Sequence, residues 1–364
     1  MLQLRSSFLG IFMLLTTVFV VSQTLLEANG PGNTYELINS AFAPLGGDVV
    51  ESPDCAHPEF GRHIRESWDT ILHKNVFEFH MHVTPDNDRC ISFDRQRLEI
   101  KTYSPSPDHM KVVLGETVEY KWKFKLPTGF MVSSSFTHLH QIKPVGGDES
   151  TPTFALTARK GNPNKMELSY YPTTALGLRK LASVNLSLFL NQWVEVTERF
   201  RAALTGGFYF IEIKNIVTGA VIMSYQNNNI STFRADNQFH RPKWGIYRSL
   251  NTPQDLRDEV VLFADFSIHE LTSTDLQVVA HDRSGFELMP NPAKSGVMLK
   301  YFAENAEKRD ILITDLGGKT MLCKPVFFNQ GLNQISLDFS NLQAGSYIVS
   351  LGQGYPGKNL ILIK

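Results

Sequence analysis

The chain reads as all-β: a large sandwich or jelly roll followed by a second, small β unit. Three observations predict this. Short runs that alternate apolar with polar residues, or are rich in aromatics, recur at 76–83, 96–103, 117–126, 136–143, 165–171, 193–200, 207–213, 221–225 and 260–270. Clusters of Gly, Pro and Asn separate them, such as Gly146-Gly147-Asp148, Gly161-Asn162-Pro163-Asn164 and Asn227-Asn228-Asn229. Many evenly spaced strands with little helical period imply a sandwich or jelly roll. The third observation is a break in composition after Leu271. Residues 272–287 are polar and poorly periodic and read as a linker, whereas 288–364 return to strand-like runs.

Composition narrows the class. Of 364 residues, 42% are hydrophobic and 20% charged, which excludes a largely disordered chain or a membrane bundle. Lys and Arg number 35 against 36 Asp and Glu, for a formal charge of −1. That balance lacks the basic excess by which nucleic-acid binders are recognised, so no nucleic-acid partner is expected. Residues 1–22 read as a secretory leader: Arg5 is the positive start, 8–21 are almost unbroken apolar, and Val20 and Ser22 place cleavage near Ser22–Gln23. The run is shorter than the roughly 20 residues of a spanning helix. An exported chain meets oxidising conditions, where Cys55 and Cys90, flanking the first strand-like run, can pair. Cys323 is expected to be buried and free.

The segments that carry chemistry are strands, in which alternate side chains share a face. In 95–103, Arg95, Arg97, Glu99, Lys101 and Tyr103 share one face, a basic strip with its own carboxylate and suited to an anionic polymer. In 137–143, His138 and His140 share one face and Gln141 and Lys143 the other, unless a bulge intervenes. In 241–248, Lys243, Gly245 and Tyr247 are in phase, and Gly245 leaves room for a ligand to approach the backbone.

With these motifs in order, residues from about 60 to 271 resemble the heparin lyase I and glucuronan lyase group of polysaccharide lyases. The R-x-E-x-K strand, the H-x-H-Q segment and the P-K-x-G-I-Y segment carry the resemblance, and the last is also similar to the Y-x-K-x-G-x-Y strand of jelly-roll alginate lyases. The resemblance implies a β-jelly-roll (concanavalin-like sandwich) catalytic domain over 23–271 that cleaves a uronic-acid polysaccharide by β-elimination. Removing the C5 proton of a uronate places charge on the adjacent carboxylate. The reaction therefore needs donors on that carboxylate, a base near C5 and an acid at the leaving O4. Arg97, Lys243 and Gln141 are the candidates for the carboxylate, His140 for the base with His138 in reserve, and Tyr247 for the acid. In some related lyases one tyrosine serves as both base and acid. Arg95, Glu99, Lys101, Tyr103, His138, Arg248 and His82 are assigned to substrate binding, with Glu99 orienting Arg97.

Residues 288–364 resemble the C-terminal sorting domain of the type IX secretion system of Bacteroidetes. The resemblance rests on Pro290-Asn291-Pro292-Ala293, the turn Asp315-Leu316-Gly317-Gly318-Lys319, Leu342-Gln343-Ala344-Gly345-Ser346-Tyr347 and a short basic end. It implies passage across the outer membrane by that machinery, then release or surface attachment. No metal is assigned to the active site. His80 and His82 with His138 and His140 would give four imidazoles but lack the glutamate of cupin-type sites. Asp86-Asn87-Asp88 offers oxygen ligands for a structural calcium. No E-x-D-x-E pair of a laminarinase-like hydrolase and no G-x-S-x-G elbow occurs. A non-catalytic carbohydrate-binding sandwich is the alternative, and a hydrolase the more distant one. The expected partners are an acidic polysaccharide and the secretion machinery, with the protein a monomer.

Overall fold

The computed structural model describes residues 23–271, 286–303, 306–329, 331–352 and 357–363. The leader expected at 1–22, and the linker expected at 272–287 apart from its last two residues, lie outside them. The chain divides into two compact units between Leu271 and Thr272.

The first unit contains β1 (Gln23–Leu26), α1 (Thr34–Phe42), β2 (Val50–Glu51), β3 (Ile64–Asp69), β4 (Lys74–Met81), β5 (Arg95–Lys101), β6 (Thr117–Lys125), β7 (Thr137–Val145), β8 (Phe154–Arg159), β9 (Lys165–Tyr170), β10 (Arg179–Asn185), β11 (Trp193–Arg201), β12 (Gly207–Asn215), β13 (Val221–Ile230), β14 (Phe239–Ser249) and β15 (Glu259–Leu271). They form two stacked antiparallel sheets, as a jelly-roll sandwich requires. The first runs β13-β12-β11-β6-β15-β4-β3, with β1 added along β15; the second runs β10-β9-β8-β7-β14-β5-β2. Strand alternation builds the core. Tyr120, Trp122 and Phe124 of β6 and Trp244 and Ile246 of β14 are all fully buried, and the Trp122 and Trp244 rings meet across the sandwich at 5.9 Å. Each such side chain removed from water contributes about 1.5–3 kcal/mol. The short helix α1 carries no motif that marks it; it buries Thr34, Ile38 and Phe42 at four-residue spacing and sets Phe42 6.0 Å from Trp244.

Two features of the second sheet correct expectations. Gly245 does not make room for a ligand. Its φ is +146°, and a Cβ there would lie 2.0 Å from the Leu98 carbonyl oxygen of β5. The neighbouring strand fills that space, so Gly245→Ala is expected to destabilise the first unit by about 3 kcal/mol through overlap and backbone strain. An unchanged midpoint of urea unfolding would contradict this. The second feature is a bulge in β7. His138 pairs with Tyr247 of β14 and Thr157 of β8, while His140 pairs with Trp244 and Leu156, and the register shifts between them on both sides. Against β8, Leu139 is one residue extra on β7, whereas against β14 it stands opposite both Gly245 and Ile246, and the mismatch reverses the phase of everything after it.

The second unit contains β16 (Phe286–Met289), β17 (Gly296–Ala303), β18 (Glu307–Asp315), β19 (Thr320–Phe328), β20 (Gly331–Asp338), β21 (Gly345–Ser350) and β22 (Lys358–Leu362). Two sheets, β16-β17-β20 and β19-β18-β21-β22, enclose Leu299, Ile311, Ile313, Val349 and Leu360. Its sequence motifs do structural work. The Asp315 carboxylate accepts the Gly317 and Lys319 N–H groups and closes the turn. The Asn291 amide donates to Asn359 O and accepts from Ile361 N–H, joining the start of the unit to its last strand. Cys323 is free but exposed rather than buried, because it sits on edge strand β19 with its side chain turned outward.

Candidate active site

The outer face of the second sheet, away from the core, gathers polar residues from β5, β14 and β7. Register sets Arg97 beside Tyr247 and Lys101 beside Lys243. The bulge adds His138 next to Tyr247, and Gln141 next to Lys243. Tyr247 is partly exposed. The Arg97 guanidinium lies over its ring, 3.7 Å from the centroid, and Arg95 Nη1 donates to the phenol oxygen at 3.0 Å. That oxygen accepts from Arg95, so the phenol proton remains free to be given away. His138 Nδ1 lies 2.7 Å from Thr157 Oγ1, and its Nε2 has no hydrogen-bond partner among the described residues. Burial, aided by Arg159, Arg97 and Lys143 and opposed by Glu99, pushes the His138 imidazole down to about 3, so it is neutral at ordinary pH.

An ion network lies beside this pair. Glu99 Oε2 binds Lys243 at 2.6 Å and Arg97 at 2.5 Å, and Glu99 Oε1 accepts from Gln141 Nε2 at 2.5 Å. Glu51, which β2 sets opposite Glu99, pairs with Lys243, Lys101 and Arg89. Burial would raise the Glu51 and Glu99 carboxyls, but Lys243 and Arg97 hold both below the ordinary carboxylate range. Arg97 also pairs with Asp88 at 3.0 Å. Glu51, Asp88 and Arg89 carry no periodic signal, since β2 is two residues long and the other two lie in a loop. Arg241, by contrast, shares the phase of Lys243 and Tyr247 on β14 and could have been found by alternation. The side chain opposite Gln141 on the same face, Lys243, is the only one of the expected carboxylate binders that is both buried and closed off by two acids. It is a counter-ion inside the network and does not present its ammonium to a ligand. Arg97 belongs to the same network at its edge toward Tyr247, and Gln141, buried beside Lys243, joins it through Glu99.

Three expected site residues lie elsewhere. His140 faces the core, 1% exposed, with its ring 4.4 Å from Trp122 and its Nε2 2.7 Å from Glu198 Oε2 of the opposite sheet. The β7 bulge is the physical reason. Arg248 follows Tyr247 and points to the other side of β14, fully buried, where it donates to Gln96 Oε1 and Arg257 O. His82 follows β4, a strand of the first sheet, and approaches His57, His63 and Asp86. Tyr103, beyond the end of β5, is 38% exposed beneath Arg241 and Lys101, each over its ring. The four-imidazole arrangement does not form, since His138 and His140 lie on opposite faces and His80 bonds Glu78. Nor do the 86–88 side chains converge for calcium: Asp86 faces histidines, the Asn87 amide oxygen takes the Cys90 N–H, and Asp88 binds Arg89 and Arg97. Cys55 and Cys90 are joined in a disulfide, with a Cα–Cα separation of 6.3 Å.

Comparison with known proteins gives two kinds of result. Among solved structures, the chain is similar to an endo-β-1,4-glucuronan lyase from the fungus Trichoderma reesei, at 15% identity and TM-score 0.42, covering 57% of this chain and 87% of that one. It is similar to the family 7 alginate lyase A1-II′ at 13% identity and TM-score 0.43, covering 62% and 93%. A PL-14 alginate lyase from Aplysia kurodai gives 12% identity and TM-score 0.46, covering 68% and 98%. These likenesses concern the course of the chain; no residue role is taken from them. No curated protein matches the sequence. Residues 287–360 match the family model of the secretion system C-terminal sorting domain, which marks the chain for type IX secretion to the cell surface or the extracellular space.

Proposed function

We propose that the first unit is a polysaccharide lyase that cleaves a uronic-acid polymer by β-elimination. The observation that carries this reading is the meeting of Tyr247, His138, Gln141 and Arg97 on one face of three adjacent strands. In this mechanism Arg97 and the free N–H of Gln141 bind the uronate carboxylate and stabilise the charge that develops on it. His138, held through Nδ1 by Thr157, takes the C5 proton on Nε2 as a neutral imidazole. Tyr247 gives its proton to the leaving O4. Glu99 holds Arg97 and Gln141 in place, and Lys243 keeps Glu99 and Glu51 ionised together.

The face is cationic, as binding of a uronic-acid polymer requires. Glu51, Asp88 and Glu99 meet Arg89, Arg97, Lys101 and Lys243, and Arg241 of β14 and Lys143 of β7 add two further cations beside them. A glucuronan- or alginate-like polymer with one carboxylate per sugar suits that surplus. Mass analysis of the products tests the reaction type. Elimination gives a new non-reducing end lighter by one water than the hydrolytic product; saturated ends would make the protein a hydrolase, and binding without products a carbohydrate-binding sandwich.

Polymer affinity should depend on pH through Lys143. Burial, then Lys243, Arg97 and Arg241, pushes its ammonium down to about 7. It lies two residues from Gln141 on the same face. A lysine is charged below its pKa, so this face loses a positive charge as pH rises through about 7. KM for a uronic-acid polymer is expected to rise between about pH 6 and pH 8, and Lys143→Met to flatten the rise. An identical rise in the variant would assign it to another group.

A further inference from the structure

The geometry points to a metal site outside the active face: we propose that His57, His63, His82 and Asp86 bind one divalent transition-metal ion, zinc by ligand type. The candidate ligand atoms all lie within 4.8 Å of one another. His57 Nδ1 and His63 Nε2 are each 3.2 Å from Asp86 Oδ1, and His82 Nδ1 is 3.1 Å from Asp86 Oδ2. These separations exceed the roughly 2.7–2.9 Å of charge-assisted hydrogen bonds. They approach the edge of a tetrahedron with metal–ligand bonds of about 2.0–2.1 Å. Three imidazoles and one carboxylate suit zinc, whereas calcium takes oxygen ligands.

Independent features of the fold support an ion. His63 is fully buried and turns its other nitrogen, Nδ1, to Asp54 Oδ1 at 2.7 Å. A carboxylate behind an imidazole in this way fixes which nitrogen is left for a metal. Tyr35 donates to the same Asp54 oxygen and holds it in place. The Cys55–Cys90 bridge ties the segment carrying His57 to the one carrying Asp86. The Phe60 ring covers the cluster, with centroids 4.4–5.3 Å from His82, His63 and His57. Asp86 itself is 2% exposed, and its second oxygen also takes the His82 backbone N–H.

The site is closed by protein ligands and its role is structural. Its reach extends to the active face through three consecutive residues: Asp86 ligates, Asn87 O accepts the Arg97 N–H, and Asp88 holds the Arg97 guanidinium. An ion at Asp86 thus fixes the loop that positions Arg97 over Tyr247.

The test uses the full chain, produced without a histidine tag, and measures metal content after dialysis, then titration of the stripped protein with zinc and with cobalt as a spectroscopic probe. The expected result is one equivalent per chain, the absorption bands of tetrahedral cobalt, and a higher unfolding temperature with zinc than with chelator. His57→Ala and His82→Ala, both at partly exposed positions, are expected to lose the bound equivalent, and Asp54→Asn to weaken binding by about 10–100-fold. Absence of bound metal together with no zinc-dependent thermal shift in the wild type would overturn the proposal. So would one equivalent retained at unchanged affinity in both histidine variants. The wild-type measurements decide the matter even where a variant fails to fold.

Discussion

Tyr247→Phe is expected to lower kcat on a uronic-acid polymer by about 10²–10⁴-fold, the usual range for loss of a positioned proton donor, with KM changed little. The variant removes one oxygen and keeps the ring. The ring is what Arg97 covers at 3.7 Å, and it packs 5.0 Å from Phe136 and 5.9 Å from His138. Those contacts survive, so polymer binding and fold should survive with them. The lost group is the hydroxyl, together with its hydrogen bond from Arg95. Arg95 keeps Asp94 on both its Nε and Nη2, so no buried charge is stranded. A pure drop in kcat therefore reads the missing proton. A parallel loss of binding would mean that Tyr247 is an anchoring residue only, and an unchanged kcat would remove it from the mechanism.

Lys243→Met is expected to cost stability first. Its ammonium is 3% exposed, 2.6 Å from Glu99, and also paired with Glu51. Removing one partner from a buried ion group strands the others, at roughly 3–5 kcal/mol. The expected loss is about 3 kcal/mol, the low end of that range, because Arg97 still serves Glu99 and Lys101 still serves Glu51. The check is urea unfolding of the first unit, followed by tryptophan fluorescence, since four tryptophans lie in that unit. A lysine devoted to the substrate carboxylate would behave oppositely, losing activity while the unfolding midpoint stayed in place. That outcome would restore Lys243 to the ligand-binding set.

The strands were legible because alternation is a property of each strand taken alone. The runs at 117–126, 193–200 and 207–213 begin where the strands begin, at Thr117, Trp193 and Gly207. The phase of Arg97, Glu99 and Lys101, and of Lys243 and Tyr247, follows from the same rule and places them on one face. What alternation cannot contain is a register shift. In His138-Leu139-His140-Gln141 the register shift at Leu139 sends His140 into the core and brings Gln141 and Lys143 to the face of His138. The buried partner that awaits His140 was visible in part: Glu198 shares its phase with Val194, Val196 and Phe200, an acid on a core-facing row.

Residues outside regular strands gave no such handle. Glu51 reaches the network from a strand of two residues, and His57 and Asp54 sit in a stretch without period between β2 and β3. His82 could be noticed within His80-Met81-His82, yet its partners are set by the 86–90 loop and the disulfide rather than by spacing along β4. Lys243 was read correctly as cationic and in phase with Tyr247. Only the structure reveals that two acids, Glu99 of the adjoining β5 and Glu51 of β2 beyond it, have already claimed its charge.

The most direct test of elimination at this face is ultraviolet absorbance during incubation of the purified protein with glucuronan, alginate, heparin and heparan sulfate, alongside Tyr247→Phe. A rise from unsaturated uronate ends on at least one of these polymers, abolished or nearly so in the variant, is the predicted result. No rise on any of these polymers, or an equal rise with wild type and variant, would contradict the account.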